Sequence, residues 1–343
     1  MERDRGIDAL KAIAIFGVVV IHACTAGYYR PIGSFGWIST LFWGSAARAS
    51  VPIFFLCSGA LFLPPEKPLP LKKLYGRNIL RILLAMFFWS FLYKLYHLLD
   101  TDALSPSSAF EALKQILLFK QDMHFYFLHI LLLFYALLPV LRVFVGSASE
   151  NELRYGLGIW FLLGILYPTL RPFWPFRLLS GIPAEWLMNM AYASAGYGLL
   201  GWYLKSHRLS LRAGAVSAAA GFLVTFGGTF YLSVRRAALD TGLLSGMSVG
   251  PALMAAGIFG LCQNRSSFFS RGFIRATEYL SRASFCVYLV HVLFLDLLAE
   301  RGVNALTLTP LAAVPLLSAL VLLLCCAVYA VLSKLPFVRR WLV

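Results

Sequence analysis

Charge is what this sequence has least of. Charged residues fill 13% of its 343 positions, about half the share usual in a soluble globular domain. Acid is scarcer still: 15 Asp+Glu stand against 30 Lys+Arg, a formal net charge of +15. This shortage argues against a soluble multidomain enzyme, and a hydrophobic content of 60% excludes a disordered or collagen-like chain. Long polar stretches are missing too. The longest, 100–124, holds at most one short amphipathic turn around Phe110 to Phe119, with no room for an attached soluble catalytic domain. No runs alternate polar and apolar as barrel strands do, which disfavours a β-barrel. The six cysteines (Cys24, Cys57, Cys262, Cys286, Cys325, Cys326) follow no metal-binding spacing and fall in apolar runs, where they read as packing residues. No clear repeat relates 1–170 to 171–343.

What the chain does have is apolar length. Ten runs suit membrane helices, at about 7–27, 37–62, 79–99, 125–145, 155–170, 184–204, 213–232, 246–262, 281–299 and 311–333. The fifth is short and leads into a Pro- and aromatic-rich stretch, Tyr167 to Phe176, suited to a re-entrant or interfacial segment. The expected fold is all-α: a polytopic membrane protein of about ten transmembrane helices, with one domain over 1–343. Twenty basic residues fall on loops sharing a side with the N-terminus, eight on the other side, and Arg48 and Lys94 within runs. The positive-inside rule then places both termini in the cytoplasm and makes the span number even. Eight spans also satisfy it; ten is the reading adopted. The basic surplus thus needs no nucleic-acid partner. Arg3 and Arg5 before an apolar run and Cys24 look a little like a lipoprotein signal. Asp4 and Asp8 leave that start poorly basic, so the run reads as the first span.

Ionisable residues inside spans cost roughly 2.5–3.5 kcal/mol each at a helix centre and so ask for a function. They are His22, Arg48, Lys94, His129, His291 and Asp296. Lys94 and Asp296 lie near outer helix ends, where Lys94 snorkels and Asp296 meets the interface. His129 fits a hydrogen-bonded packing role. At 1.5 Å of rise per residue, His22, Arg48 and His291 fall about 12–18 Å into their spans, in the middle half of the bilayer core. A neutral imidazole there suits a general base or an acyl acceptor, and a permanent cation beside it suits an oxyanion or a phosphate. Asp8, Lys11 and His22 share one helix, with Lys11 and His22 on one face three turns apart. They read as a lined shaft: an anion binder or topology anchor at the inner rim and a base at the bottom. Pro52 is expected to kink the second span beside Arg48, and Ser58-Gly59 to allow close backbone approach. No mid-depth carboxylate chain of a proton-coupled transporter is evident.

Four motifs occur in order: Asp8-Ala-Leu-Lys11 with His22 on the same span; Arg48-x-x-Val-Pro-x-Phe-Phe-x-x-Ser-Gly; His124-Phe-Tyr-Phe-Leu128; and Ser284-Phe-Cys-Val-Tyr-Leu-Val-His291. Together with the ten-span layout they resemble the acyltransferase-3 family of integral-membrane O-acyltransferases. Among its members the chain looks closest to the stand-alone branch that O-acetylates enterobacterial common antigen and similar surface glycans. The resemblance implies transfer of an acyl group, commonly acetyl, from cytoplasmic acyl-CoA to a glycan hydroxyl beyond the membrane. It implies a multi-pass protein of the bacterial inner membrane, with no bound cofactor or metal and with acyl-CoA, a glycan and the bilayer as partners. His22 and Arg48 are the expected catalytic residues. Asp8, Lys11, Ser58, His124, Tyr126, Tyr288 and His291 are the expected substrate contacts. Two positions depart from the family pattern: Lys11 stands where arginine is usual, losing bidentate phosphate binding, and Tyr126 stands where tryptophan is usual. The alternative is a transporter or flippase of a lipid-linked glycan.

Overall fold

The computed structural model describes residues 3–343, and among them every regular element is helical. Helix α1, Arg5–Ala23, starts where the Asp4 carboxylate accepts the Ile7 N–H at 3.0 Å, which satisfies one of the unpaired donors of the first turn. A 3₁₀ turn, Thr25–Tyr29, leads to α2, Phe35–Ala47, and α3, Ser50–Phe62. Next come α4, Leu71–Asp100, with a π-helical turn over Leu74–Ile79, and the short α5, Pro106–Leu117, which opens on a Ser105 capping box. The central pair is α6, Met123–Ser147, and α7, Glu150–Leu170. The rest are α8, Met190–Ser206; α9, Leu211–Arg236; α10, Val249–Arg265; α11, Arg271–Glu300; α12, Pro310–Leu332; and α13, Pro336–Trp341.

Nine helical stretches among the described residues are long and apolar enough to cross a membrane, with α2 and α3 forming one stretch. Helix α8, 17 residues and about 25 Å long, makes a tenth crossing by its position. Its Lys205 ammonium lies 2.9 Å from Asp4 at the start of α1, and its Met190 lines the same cavity as His22 near the end of α1. It therefore runs antiparallel to α1 over most of α1's length. Both ends of the described residues lie on one face: Arg3 donates to the Glu278 carbonyl at 3.2 Å, and Arg81, near the start of α4, donates to the Val343 carbonyl. Outward-facing side chains such as Val140, Leu223, Leu316 and Leu323 are all at least 60% exposed, the pattern of helices clothed by lipid.

Helix α1 is buried on nearly every face, enclosed by α3, α11 and α12. Helices α3 and α8 approach backbone to backbone. A Cβ on Gly59 would stand 1.8 Å from the Gly198 carbonyl oxygen, and one on Gly201 2.0 Å from that of Leu56. Small residues permit such contact, and dispersion across it holds helices together where lipid removes the hydrophobic drive.

The structure corrects the second and sixth spans. The second does not kink at Pro52; it breaks at Arg48–Ala49, between α2 and α3. Pro52 sits in the first turn of α3, where a missing N–H costs nothing. The sixth starts at Met190 rather than 184, because the Pro- and Gly-containing stretch 171–189 runs as turns. The turn expected around Phe110 to Phe119 is helix α5.

Candidate functional site

Three histidines from three helices meet at the C-terminal end of α1. The ring centroids of His22 and His291 lie 5.0 Å apart, His124 and His291 5.9 Å, and His22 and His124 6.5 Å. His22 comes from the last turn of α1, and His291 from the middle of α11, where Tyr288 and His291 share a face one turn apart. His124 comes from the 3₁₀ turn that opens α6. A cavity of about 310 Å³ reaches His22, His124 and Tyr288, and Arg48 points into it from the break between α2 and α3. Its other walls are mostly apolar or aromatic, including Phe54, Phe55, Phe127 and Met190.

The polar atoms here are left unsatisfied. Among the described residues, His124 Nε2, His291 Nε2, Arg48 Nε and the Tyr28 hydroxyl are buried without a hydrogen-bond partner. Each such atom costs about 1–3 kcal/mol unless something binds it. Four of them lie in one neighbourhood, an arrangement suited to a polar ligand. The helix break explains Arg48: as the cap residue of α2 it projects into the cavity while both helix axes continue. Gly44, one turn earlier, leaves room for the Tyr28 hydroxyl, 2.0 Å from where its Cβ would stand.

The histidines are held in place by backbone. His291 Nδ1 donates to the Tyr288 carbonyl at 2.7 Å, which leaves Nε2 as the acceptor of the neutral ring. The Tyr288 hydroxyl donates to the His124 carbonyl. Tyr93 ties α4 to α11: its hydroxyl donates to the Leu289 carbonyl at 3.1 Å and accepts the Leu293 N–H at 3.0 Å, while its ring lies 4.7 Å from that of His124. Sequence reasoning missed Tyr28 and Tyr93, because neither stands in a motif and a tyrosine in an apolar run gives no signal of its own.

A second, wider cavity of about 810 Å³ opens on the face that holds both chain ends. Arg3, Lys11, Lys67, Lys205 and Arg282 line it, with Asp4 and Asp8. Most of its charge is paired within the protein. Arg3 bonds Asp8 at 3.0 Å, and Lys205 bonds Asp4. Burial pushes the Asp4 carboxyl up, but its bonds to Lys205 and the Ile7 N–H outweigh this and hold it below its ordinary value.

The expected shaft from Lys11 to His22 is not continuous. Lys11 lines the basic cavity and His22 the apolar one, and the turns between them are closed by Ala14 and Ile15, both fully buried. The seal is tight because Gly17 lies directly against Ser50: a Cβ there would be 2.1 Å from its hydroxyl oxygen. Of the other expected contacts, Asp8 lines the basic cavity, and His124, Tyr126 and Tyr288 line the apolar one. His291 stands fully buried behind His22. Ser58 reaches neither cavity, and its hydroxyl donates to the Phe54 carbonyl at 2.8 Å. His129 bonds Gln121 at 2.9 Å. Asp296 lines a third cavity of about 400 Å³, which also touches His22.

A bundle of membrane-crossing helices encloses a buried imidazole cluster and an unpaired guanidinium, an arrangement suited to group transfer within the membrane. The profile of the acyltransferase-3 family, described as an acyltransferase domain, matches residues 4–330, and the chain belongs to that family. It is a multi-pass membrane acyltransferase. No curated protein and no solved structure matches it.

Proposed function

We propose that the protein moves an acyl group, with acetyl the first candidate, from acyl-CoA at the basic cavity to a hydroxyl of a surface or lipid-linked glycan on the opposite side of a bacterial inner membrane. The observation that carries this reading is the pairing of an imidazole cluster with an unsatisfied guanidinium in one cavity, three turns of α1 away from a basic cavity on the other face. His22 accepts the proton of the sugar hydroxyl as its oxygen attacks the thioester carbonyl. The carbonyl oxygen takes up negative charge opposite Arg48. The C–S bond then breaks, and the CoA thiolate leaves with the proton held on His22. His124 and His291 wall in the base. The strongly anionic CoA suits the lysines and arginines of the inner cavity, and the closed stretch at Ala14, Ile15 and Gly17 must part to let the thioester arm through.

Replacing His22 by Ala removes the base without disturbing the helix start or the α1–α3 contact. In proteoliposomes fed radiolabelled acetyl-CoA, transfer by His22→Ala is expected to fall about 10³-fold or more. Near wild-type transfer sinks the assignment. Two cavities on opposite faces with a sealed middle also suit alternating access. Movement of a lipid-linked glycan across the bilayer without covalent label would favour that transporter reading.

A further inference from the structure

The face opposite the chain ends carries few basic residues, as the positive-inside rule expects. Half of its eight in the sequence, Arg171, Arg177, Arg235 and Arg236, fall in two short segments that meet at one place. There a cavity of about 310 Å³ lies between the end of α7, the turns that follow it and the end of α9, with Arg236, Asp240, Thr241 and Phe173 on its walls. Arg171 flanks the lining residues Pro172 and Phe173, and the Arg177 N–H bonds the Phe173 carbonyl at 2.8 Å.

One acid answers these four cations. Asp240 is nearly buried and already engaged: it pairs with Arg236 and accepts the Gly242 N–H at 2.9 Å. Arg235 bonds only the neutral Tyr231 hydroxyl, at 3.1 Å. Among the described residues neither it, Arg171 nor Arg177 forms a salt bridge, and all three are exposed. Topology gives no reason for such a concentration on this face, whereas an anion does.

The cavity adjoins the histidine site. The turn Gly242–Leu244 divides them, with Gly242 and Leu243 on the cavity that Arg236 lines and Leu244 and Ser245 on the one that His22 lines. Thr169 Oγ1 accepts the Val249 N–H at 3.1 Å, which fixes the end of α7 to the start of α10 across the same turn. Phe173 adds an aromatic wall suited to the apolar face of a sugar ring.

We infer that this cavity binds an anionic group of the acceptor, a phosphate or a carboxylate, and holds the glycan while one of its hydroxyls reaches His22 next door. The inference rests on the acyl-transfer reading for its role, but the binding is measurable without it. The full chain in nanodiscs is titrated, with no acyl donor, against a glucuronate disaccharide and its neutral glucose counterpart. In a second arm it is titrated against vesicles carrying a polyprenyl phosphate or the free polyprenol. At least one anionic probe is expected to bind about tenfold more tightly than its neutral partner, and less so as salt rises. Preference for the disaccharide identifies a sugar carboxylate, and preference for the vesicle identifies a carrier phosphate. Arg236→Gln is expected to erase the preference. The double variant Arg171→Gln/Arg177→Gln leaves the Arg236–Asp240 pair intact and is expected to reduce it several-fold. Equal binding of charged and neutral probes by the wild-type chain overturns the inference, as does an undiminished preference in both variants. Loss of acyl transfer in otherwise normal anion binding would sink the enzymatic reading and leave this site standing.

Discussion

The two cavities along α1 handle polar groups in opposite ways. Around His22 they are few, buried and unpaired: among the described residues four polar atoms have no partner, and the surrounding walls are mostly apolar. Around Lys11 they are many, partly exposed and largely paired, Arg3 with Asp8 and Lys205 with Asp4. An unpaired polar atom in an apolar wall is expensive to keep and acts strongly on any charge that forms beside it. A paired charge at a wet rim is cheap and acts weakly. The first arrangement suits chemistry, the second suits holding an anion and fixing topology.

That contrast can be broken in three further ways. The largest effect belongs to Arg48. If its guanidinium faces the developing oxyanion, Arg48→Met, which keeps length and removes charge, lowers kcat about 10²–10³-fold with little change in the KM for acyl-CoA. A rise in KM alone would move Arg48 to the role of donor binder. Lys11 comes next. Lys11→Ala is expected to raise the KM for acyl-CoA several-fold at unchanged kcat, with the difference shrinking in high salt. Lys11→Arg is expected to tighten donor binding, since a guanidinium grips phosphate through two bonds. Equal falls in kcat for both variants would show that the basic cavity takes part in the chemical step.

The smallest effect concerns Asp4. Its carboxyl is held below its ordinary value, so the folded state binds the proton less well than the unfolded chain. The stability this gives is present above the unfolded value and is lost as pH falls through the folded one. Asp4→Ala is expected to cost about 1 kcal/mol, mostly from the lost helix cap. It should also flatten the dependence of thermal unfolding on pH in the acid range. A variant that unfolds with the same acid dependence as the wild type would remove Asp4 from this role.

Much of the fold was legible because lipid imposes a simple rule on the chain. Every crossing must be an apolar helix of bilayer length, so the runs could be read directly, and the sixth was misplaced only where Pro and Gly turns follow an apolar helix. The break at Arg48 was not legible. Ser45-Ala-Ala-Arg-Ala-Ser carries no strong helix breaker, and the obvious one, Pro52, does no harm where it sits. Depth arithmetic placed His22, Arg48 and His291 at similar levels, but depth leaves the direction of a side chain open. Ser58 shows this: it lies within the second motif, yet its hydroxyl turns back onto its own helix.

By itself, then, the sequence determined that the chain is an all-helical membrane protein, which residues carry ionisable groups into the bilayer, and which family those residues spell out. The first two follow from composition and rise per residue, and the third from the resemblance of four motifs to those of a known family. Only the tertiary structure decided that His22, His124 and His291 face one another, that Arg48 shares their cavity, and that the path from Lys11 is closed. Those facts depend on how far helices are rotated about their own axes and how closely they approach. Rotation and approach are set by contacts such as Gly17 on Ser50 and Gly59 on Gly198, between residues far apart in the chain.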